Sequence, residues 1–103
     1  MKNVKNYQKV YDFLVTIPKG KVVTYGYLAK KLKLGSPRYV GRILHENPSA
    51  PDVPCHRVVF SDGSLSPNFG SGPGVQKKLL EKEGLQVVND KVDLSKSLYT
   101  QSA

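Results

Sequence analysis

The segment Gly35-Ser36-Pro37 constrains the fold of this chain more than any other short stretch. Glycine is typical of the position just after a helix, serine caps the start of the next helix, and proline suits a first helical residue. Apolar residues recur at helical spacing on both sides of the segment: Leu28, Ala29 and Leu32, then Val40, Ile43 and Leu44. The sequence therefore predicts two helices joined by a tight turn at Gly35, with Thr24 as the N-cap of the first.

Proline, glycine and asparagine divide the rest of the chain into short elements. A first helix, from Tyr7 to Ile17, ends at Pro18, because proline cannot continue it. The helix after Ser36 ends at Asn47-Pro48. The remaining predictions are a strand at Val22-Val23, a strand from Val58 to Phe60 with a hairpin turn at Asp62-Gly63, a loop from Ser66 to Gly74, a helix from Val75 to Glu83 closed by Gly84, and two strands that turn at Asn89-Asp90.

The chain is short enough to be one domain. It has 103 residues and contains no internal repeat, low-complexity run or linker. The predicted fold is mainly α with short β elements, in a single domain over residues 1–103. The tail, from about Lys96 to Ala103, is expected to be frayed.

Basic residues outnumber acidic ones by 16 to 8, which gives a formal net charge of +8. A small domain this basic attracts nucleic acid or another anionic surface, and the second helix of the pair, with Arg38, Tyr39 and Arg42, would then enter a DNA groove. An ordinary helical hairpin with solvated lysines is the commoner explanation. No apolar run approaches membrane-spanning length and the amino terminus lacks a secretory signal, so we expect a cytoplasmic protein, or one associated with the nucleoid or nucleus through DNA.

The chain's only cysteine stands beside one of its two histidines, in Pro54-Cys55-His56-Arg57. A single thiol cannot form an internal disulfide, and one thiol with two histidines is too few ligands for a closed zinc site. The thiolate is the reactive form of cysteine, and a neighbouring imidazole and an arginine favour it, so Cys55 is a candidate nucleophile. The alternative is that Cys55 is a small apolar residue packed among the nearby valines.

Five blocks of sequence resemble one protein family in order and spacing. They are Ile17-Pro18-Lys19-Gly20 with Val22-Val23-Thr24-Tyr25-Gly26, Ser36-Pro37-Arg38-Tyr39-Val40-Gly41, Asn47-Pro48, Pro54-Cys55-His56-Arg57-Val58-Val59, and Glu83-Gly84. From about Tyr7 to Leu94 the chain resembles the O6-alkylguanine DNA alkyltransferases, also called methylated-DNA–protein-cysteine methyltransferases. The resemblance implies the fold of their C-terminal active-site domain, which is a winged helix-turn-helix-like single domain.

The resemblance also implies roles for four residues of a reacting site. Cys55 matches the nucleophile that takes the alkyl group from guanine O6 and keeps it as a thioether. His56 matches the base that removes the thiol proton through a water, and Glu83 the carboxylate that orients the imidazole. Asn47 matches the asparagine that braces the active-site loop. The expected reaction is irreversible and uses each protein molecule once, because a thioether cannot regenerate the thiol.

Residues of the helix pair match DNA contacts of the same family. Arg38 matches an arginine finger that fills the space left by the extruded nucleotide, and Tyr25 matches the tyrosine that rotates and holds that nucleotide. Extrusion is required because the O6 alkyl group cannot meet a sulfur in line while the base is stacked. Gly41 matches a small residue that lets the helix approach the minor groove closely. Further DNA or base contacts are expected from Ser36, Tyr39, Arg42, Arg57, Val58 and Phe69.

The chain departs from the transferase pattern at Phe69. Transferases commonly have a tyrosine there, whose hydroxyl approaches guanine O6, and phenylalanine cannot donate that hydrogen bond. The length, without the usual amino-terminal domain, is similar to that of alkyltransferase-like proteins, which bind damage without repairing it. Those proteins generally have tryptophan or alanine where this chain has Cys55.

Three functions are therefore open. The leading hypothesis is a monomer that binds duplex DNA containing O6-alkylguanine and transfers the alkyl group to Cys55, with no metal and no organic cofactor. The second is an alkyltransferase-like protein that recognises the damage and recruits other repair proteins. The third, a sequence-specific DNA regulator, rests only on the helix pair and the charge.

Overall fold

The structure is a computed structural model that describes residues 4–46, 53–66 and 74–99. The helices in these ranges are α1 Val4–Leu14, α2 Tyr25–Lys31, α3 Pro37–His45, α4 Val75–Lys82 and α5 Leu94–Ser97, with a 3-10 turn at Cys55–Arg57. The strands are β1 Val23–Thr24, β2 Val58–Val59, β3 Val87–Val88 and β4 Lys91–Val92. Across the described parts of the chain, no helix is long and apolar enough to span a bilayer.

Helices α2 and α3 form the predicted pair, and both predicted caps are present. The side chain of Thr24 accepts a hydrogen bond from the backbone nitrogen of Tyr27 at 3.1 Å. The side chain of Ser36 accepts one from the nitrogen of Tyr39 at 3.2 Å, and Pro37 is the first residue of α3. Each cap satisfies a backbone N–H group that has no partner within its own helix, so the sequence itself fixes where the two helices begin.

Helix α2 ends earlier than predicted, at Lys31 rather than near Gly35. Lys33 takes the left-handed conformation that ends the helix, with φ 56°, and the nitrogen of Leu34 donates to the carbonyl of Ala29 at 2.9 Å. This bond is typical of a Schellman ending. Leu34 is 8% exposed, so ending the helix here turns an apolar side chain into the core. Gly35, with φ 91°, then belongs to the turn before α3.

Two short strand pairs lie beside the helices. β1 pairs with β2 in parallel, with Val23 opposite Val58, and β3 pairs with β4 in antiparallel. The predicted turn at Asn89-Asp90 joins β3 and β4, and both of its residues have positive φ. The predicted hairpin after β2 is wrong. The Asp62-Gly63 turn is present and the nitrogen of Phe60 donates to the carbonyl of Ser64 across it at 2.9 Å, but the bridge that Ser64 forms is with Lys91 of β4 and not with β2.

The β1–β2 pair separates two apolar clusters. Val23 and Val58 face the larger cluster, which α1, α2 and α3 enclose and which also contains Cys55. The residues next to them in sequence, Val22 and Val59, face a smaller cluster with Leu80 of α4 and Val92 of β4. Side chains alternate between the two sides of a strand, so one strand pair serves both clusters.

The last described residues form a short helix and contact the start of β1. Residues of α5 and just beyond it pack against the start of β1. The nitrogen of Val22 donates to the carbonyl of Ser97, and the nitrogen of Tyr99 donates to the carbonyl of Val22, both at 2.8 Å. Asp93 caps α5 by accepting from the nitrogen of Ser95 at 2.9 Å. Residues 97 and 99 thus have hydrogen-bonded partners near the start of β1, the fraying of the tail stays a prediction, and residues 100–103 lie outside the described ranges.

Candidate functional site

The Cys55–Arg57 turn carries the candidate nucleophile and connects directly to β2. Within it, the nitrogen of Arg57 donates to the carbonyl of Pro54 at 3.1 Å, and Val58 donates to the carbonyl of Cys55. Cys55 is 7% exposed and His56 is 2% exposed. Cys55 therefore belongs to the wall of the larger apolar cluster and keeps a small exposed area. Residues 47–52 and 67–73, which flank the turn in sequence, are outside the described ranges, and with them Asn47 and Phe69.

Behind the turn, Glu83 connects the histidine and the arginine. The Nε2 atom of His56 lies 2.9 Å from one carboxylate oxygen of Glu83. Arg57 donates to both oxygens, from Nε at 2.9 Å and from Nη2 at 2.6 Å, and its Nη1 donates to the carbonyl of Ile17 at 2.6 Å. Glu83 stands at the C-cap of α4, so the helix end positions the carboxylate. The guanidinium of Arg57 is thus engaged inside the protein, and a contact of Arg57 with DNA stays a prediction.

The pKa values of these groups favour a neutral histidine beside a charged carboxylate. Burial lowers the pKa of His56 below its ordinary value of 6.5, and the positive charge of Arg57 adds to this, against the opposite effect of Glu83. Burial alone would raise the pKa of Glu83, but the hydrogen bonds from Arg57 and His56 outweigh it and lower that pKa. The pair is thus imidazole and carboxylate near neutral pH.

The Nδ1 atom of His56 is where the imidazole is basic. With Nε2 donating to Glu83, the neutral ring carries its lone pair on Nδ1. Among the described residues, Nδ1 is the one buried side-chain nitrogen or oxygen without a hydrogen-bond partner. A buried basic atom next in sequence to a thiol is suited to accept its proton, either directly or through a water.

Tyr25, the first residue of α2, lies on another side of the same site. Burial raises the pKa of its hydroxyl; a hydrogen bond with the side chain of Ser66 opposes this, and the negative charge of an ionised Cys55 adds to it. The centre of its ring is 5.1 Å from that of Phe60, which is 40% exposed. Tyr25 was predicted as a site residue, whereas Phe60 and Ser66 were not. The parallel register of β1 and β2 brings Phe60 beside Tyr25, and only the strand pairing reveals that.

The outer face of α3 presents Arg38 and Arg42, both exposed, one helical turn apart. Gly41 lies on the side towards α2: a Cβ atom there would have Tyr25 as its nearest neighbour, at 4.0 Å. That is an ordinary contact, so packing inside the protein does not require glycine at this position.

The other residues predicted as DNA or base contacts have structural partners within the protein. Tyr39 is half-buried, its hydroxyl accepts a hydrogen bond from Asn6 at 3.3 Å, and the hydroxyl of Ser36 caps α3. The side chain of Val58 is buried, and its carbonyl accepts from Gln76 at 2.9 Å.

Gln76 of α4 is a site residue that the sequence analysis missed. It is 2% exposed, and its amide bonds to the backbone on both sides of Arg57 and to Ser66. The available indication was its position four residues before Leu80, on the apolar face of a helix, where a polar side chain needs internal partners. No group of three or more histidine, cysteine, aspartate or glutamate residues suited to a metal ion occurs in the described ranges.

Comparison with known sequences gives one family. Residues 5–85 match the family described as 6-O-methylguanine DNA methyltransferase, DNA binding domain. The chain is 42% identical over 89 residues to a methylated-DNA–protein-cysteine methyltransferase of Candida glabrata, which covers 85% of this chain and 42% of that protein. It is 40% identical over 83 residues to alkyltransferase-like protein 1 of Schizosaccharomyces pombe, covering 79% of this chain and 77% of that protein. This chain thus spans less than half of the Candida methyltransferase.

Solved structures agree with this result. The crystal structure of S. pombe Atl1 in complex with damaged DNA containing O6-carboxymethylguanine matches with a TM-score of 0.84 at 34% identity, over 98% of this chain and all (100%) of that one. Mycobacterium tuberculosis OGT in complex with DNA matches with a TM-score of 0.71 at 37% identity, over 81% of this chain and 50% of that one. The predicted fold class is confirmed. The chain belongs to the family of the 6-O-methylguanine DNA methyltransferase DNA-binding domain.

Proposed function

We propose that this chain is a DNA repair protein that binds duplex DNA containing O6-alkylguanine and transfers the alkyl group irreversibly to Cys55. The observation that carries the proposal is the His56–Glu83 pair beside the only cysteine: Nε2 of His56 lies 2.9 Å from Glu83, and the basic Nδ1 has no hydrogen-bond partner among the described residues. Membership of a methyltransferase family supports the same reaction. The protein acts as a monomer without metal or organic cofactor. It acts in the cytoplasm, or in association with the nucleoid or nucleus through DNA.

The first step is removal of the thiol proton. Nδ1 of His56 accepts the proton of Cys55 through a water, and the imidazolium that forms is stabilised by Glu83. Glu83 stays charged, because Arg57 donates to both of its oxygens. The lowered pKa of His56 means that the ring is neutral, and so able to act as the base, throughout the neutral range.

The second step is displacement at the alkyl carbon. The Cys55 thiolate attacks the carbon attached to guanine O6, a carbon–sulfur bond forms, and the carbon–oxygen bond breaks. The bonding electrons leave with the guanine, which takes up a proton to become the normal base. The product is a thioether, and nothing in this chemistry breaks it, so each molecule reacts once.

DNA binding is assigned to the outer face of α3. Arg38 and Arg42 are exposed there, on a chain with a net charge of +8, and helix–turn–helix proteins use the second helix in the groove. Arg38 fills the space of the extruded nucleotide, and Tyr25, close to Cys55, holds that nucleotide in the site. Gly41 supports this assignment, because the protein's own packing would accept alanine there.

Intact-protein mass spectrometry tests the proposal. The protein is incubated with a duplex that contains one O6-methylguanine, and we expect each molecule to gain the mass of one methyl group, located on Cys55 by peptide mapping. The same duplex with unmodified guanine and the Cys55→Ser variant are the controls, and neither should gain mass. Absence of a gain in wild-type protein with a reduced thiol contradicts the transfer.

A second candidate is damage recognition without transfer. It is favoured by the match over all (100%) of the S. pombe Atl1 chain in the solved complex and by the exposed Phe60 ring, tilted against Tyr25, which offers an apolar surface to a base. This candidate predicts tight binding to O6-alkylguanine duplex with no change of mass, retained in Cys55→Ser. The recruitment of other repair proteins would follow from such binding.

A further inference from the structure

Gln76 is a buried amide whose hydrogen-bonding groups are all directed at the candidate site. Its Nε2 donates to the carbonyl of His56 at 3.0 Å and to the carbonyl of Val58 at 2.9 Å. Its Oε1 accepts from the nitrogen of Ser66 at 2.8 Å. A buried amide with three good hydrogen bonds is costly to replace, because each group left alone would be desolvated without a partner.

These bonds connect three parts of the site, in addition to the pairing of β1 with β2. The two carbonyls belong to the residues on either side of Arg57, so Gln76 holds the exit of the Cys55–Arg57 turn against α4. The bond to Ser66 fixes the residue whose side chain hydrogen-bonds with Tyr25. One side chain therefore links the histidine turn to Ser66, on the Tyr25 side of the site, and acts together with the β1–β2 pairing.

We propose that Gln76 is a positioning residue for alkyl transfer, which holds the His56 turn and the Ser66–Tyr25 side of the site in register. The proposal rests on the proposed function. Only an amide meets the requirement, because it offers two donors and an acceptor at one end. Glutamate would keep the acceptor for Ser66 but lose the donors, methionine would lose all three bonds at similar size, and asparagine is shorter.

A positioning role predicts a loss in the chemical step and not in binding. The first measurement is the transfer rate at saturating O6-methylguanine duplex. We expect a fall of about 100-fold in Gln76→Met, since a displacement near 1 Å in a reacting site has this size of effect. The rate of Gln76→Glu should also fall, because an oxygen replaces the donor to the two carbonyl groups although the Ser66 bond is kept. Affinity for undamaged duplex should stay at the wild-type value in both variants.

The second measurement is hydrogen exchange at the backbone amide of Ser66, followed by NMR. We expect protection in wild type and in Gln76→Glu, and loss of protection in Gln76→Met. Leu80→Val is the matched control, because Leu80 is fully buried in the same helix and packs in the smaller cluster. It should lower thermal stability while leaving the transfer rate and the exchange of Ser66 unchanged.

The outcomes separate this inference from the proposed function. Equal transfer rates in wild type and Gln76→Met overturn the role of Gln76 alone. An equal loss of rate in Leu80→Val, at equal loss of stability, also overturns it, since general loosening would then explain both. If Gln76→Met does not fold, a wild-type rate in Gln76→Glu overturns it. Absence of transfer in the wild-type protein overturns both proposals.

Discussion

Charged side chains behind the Cys55 turn are paired inside the protein, whereas those on the outer face of α3 are directed into solvent. Glu83 receives hydrogen bonds from His56 and Arg57, and its side chain is 10% exposed. Arg38 and Arg42 are exposed. Internal pairing fixes geometry and shifts pKa values, as chemistry requires, and exposed charge is available to a polyanion. One small domain thus keeps its reacting groups and its binding groups under different physical conditions.

The largest effect is expected from Glu83→Gln, which changes the charged pair behind the Cys55 turn. The amide cannot stabilise a protonated His56 by charge, and it leaves Arg57 without its anion. We expect the transfer rate to fall about 100-fold, within the range that general acid–base groups contribute. Single-turnover kinetics on O6-methylguanine duplex measure it. Glu81→Gln, in the same helix and exposed, is the matched control and should react at the wild-type rate.

On the outer face of α3, Arg38→Ala tests whether this side chain stabilises the extruded nucleotide or only contacts phosphates. We expect transfer from damaged duplex to fall about 10-fold, while affinity for undamaged duplex changes much less, because a finger contributes only when the nucleotide has left the stack. Fluorescence anisotropy on both duplexes supplies the comparison, with Lys78→Ala on α4 as the control. Equal losses on both duplexes would make Arg38 a phosphate contact.

The pH dependence of transfer reports the protonation of His56, behind the Cys55 turn. The base must be neutral, and its pKa lies below 6.5, so the midpoint of the fall in rate should lie below pH 6.5. Arg57→Gln removes a charge that lowers this pKa, so the midpoint should move to a higher pH. His45→Gln, which changes the other histidine, should keep the wild-type profile. A midpoint above pH 6.5 in wild type contradicts His56 as the base.

The same lowered pKa affects stability. His56 binds fewer protons in the folded protein than in the unfolded chain, where its pKa is near 6.5. Protonation therefore favours the unfolded state, and the contribution of His56 to the pH dependence appears as a loss of stability when the pH falls through 6.5. Above that pH the contribution of this residue is constant. Urea unfolding between pH 5 and 8 gives the free energy of unfolding at each pH. As the pH falls through 6.5, this free energy should decrease more in wild type than in His56→Gln.

The smallest change is expected from Gly41→Ala, which should affect the free energy of unfolding and the affinity for DNA in opposite directions. Alanine at this helical position meets only an ordinary contact with Tyr25, so Gly41→Ala should raise the free energy of unfolding by up to about 1 kcal/mol. If α3 enters the groove as closely as proposed, the added methyl group should weaken DNA binding at the same time. Opposite changes in urea unfolding and in duplex affinity support the assignment. A more stable variant with wild-type affinity contradicts it.

Local chemistry explains why much of the fold was predictable. Thr24, Ser36 and Pro37 mark their helix starts through caps that need only neighbouring residues. The turn at Asn89-Asp90 is equally local, since both residues tolerate positive φ. The helix ending at Lys33 escaped prediction because the burial of Leu34, and not the preference for glycine, decided it.

The candidate site divides in the same way. The chemistry was indicated by the adjacency of Cys55 and His56 and by the match of Glu83 to the family's carboxylate. The bonds of Arg57 to Glu83 and the part played by Gln76 were not predicted. Both depend on partners far away in sequence: Arg57 bonds to Ile17 and Glu83, and Gln76 to His56 and Ser66. The hydrogen-bond partners of a buried polar group cannot be predicted from the sequence, because they depend on how the helices pack.

The helix pair, the single thiol beside its histidine and the positive charge could all be read from the residues in order. These follow from caps, from adjacency along the chain and from composition, none of which needs a fold. The tertiary structure alone decided that Arg57 turns inward, that β1 lies in parallel beside β2, and that Gln76 holds the reacting turn. The physical reason is that a buried polar group must find a partner, and only the packed chain determines which partners are within reach.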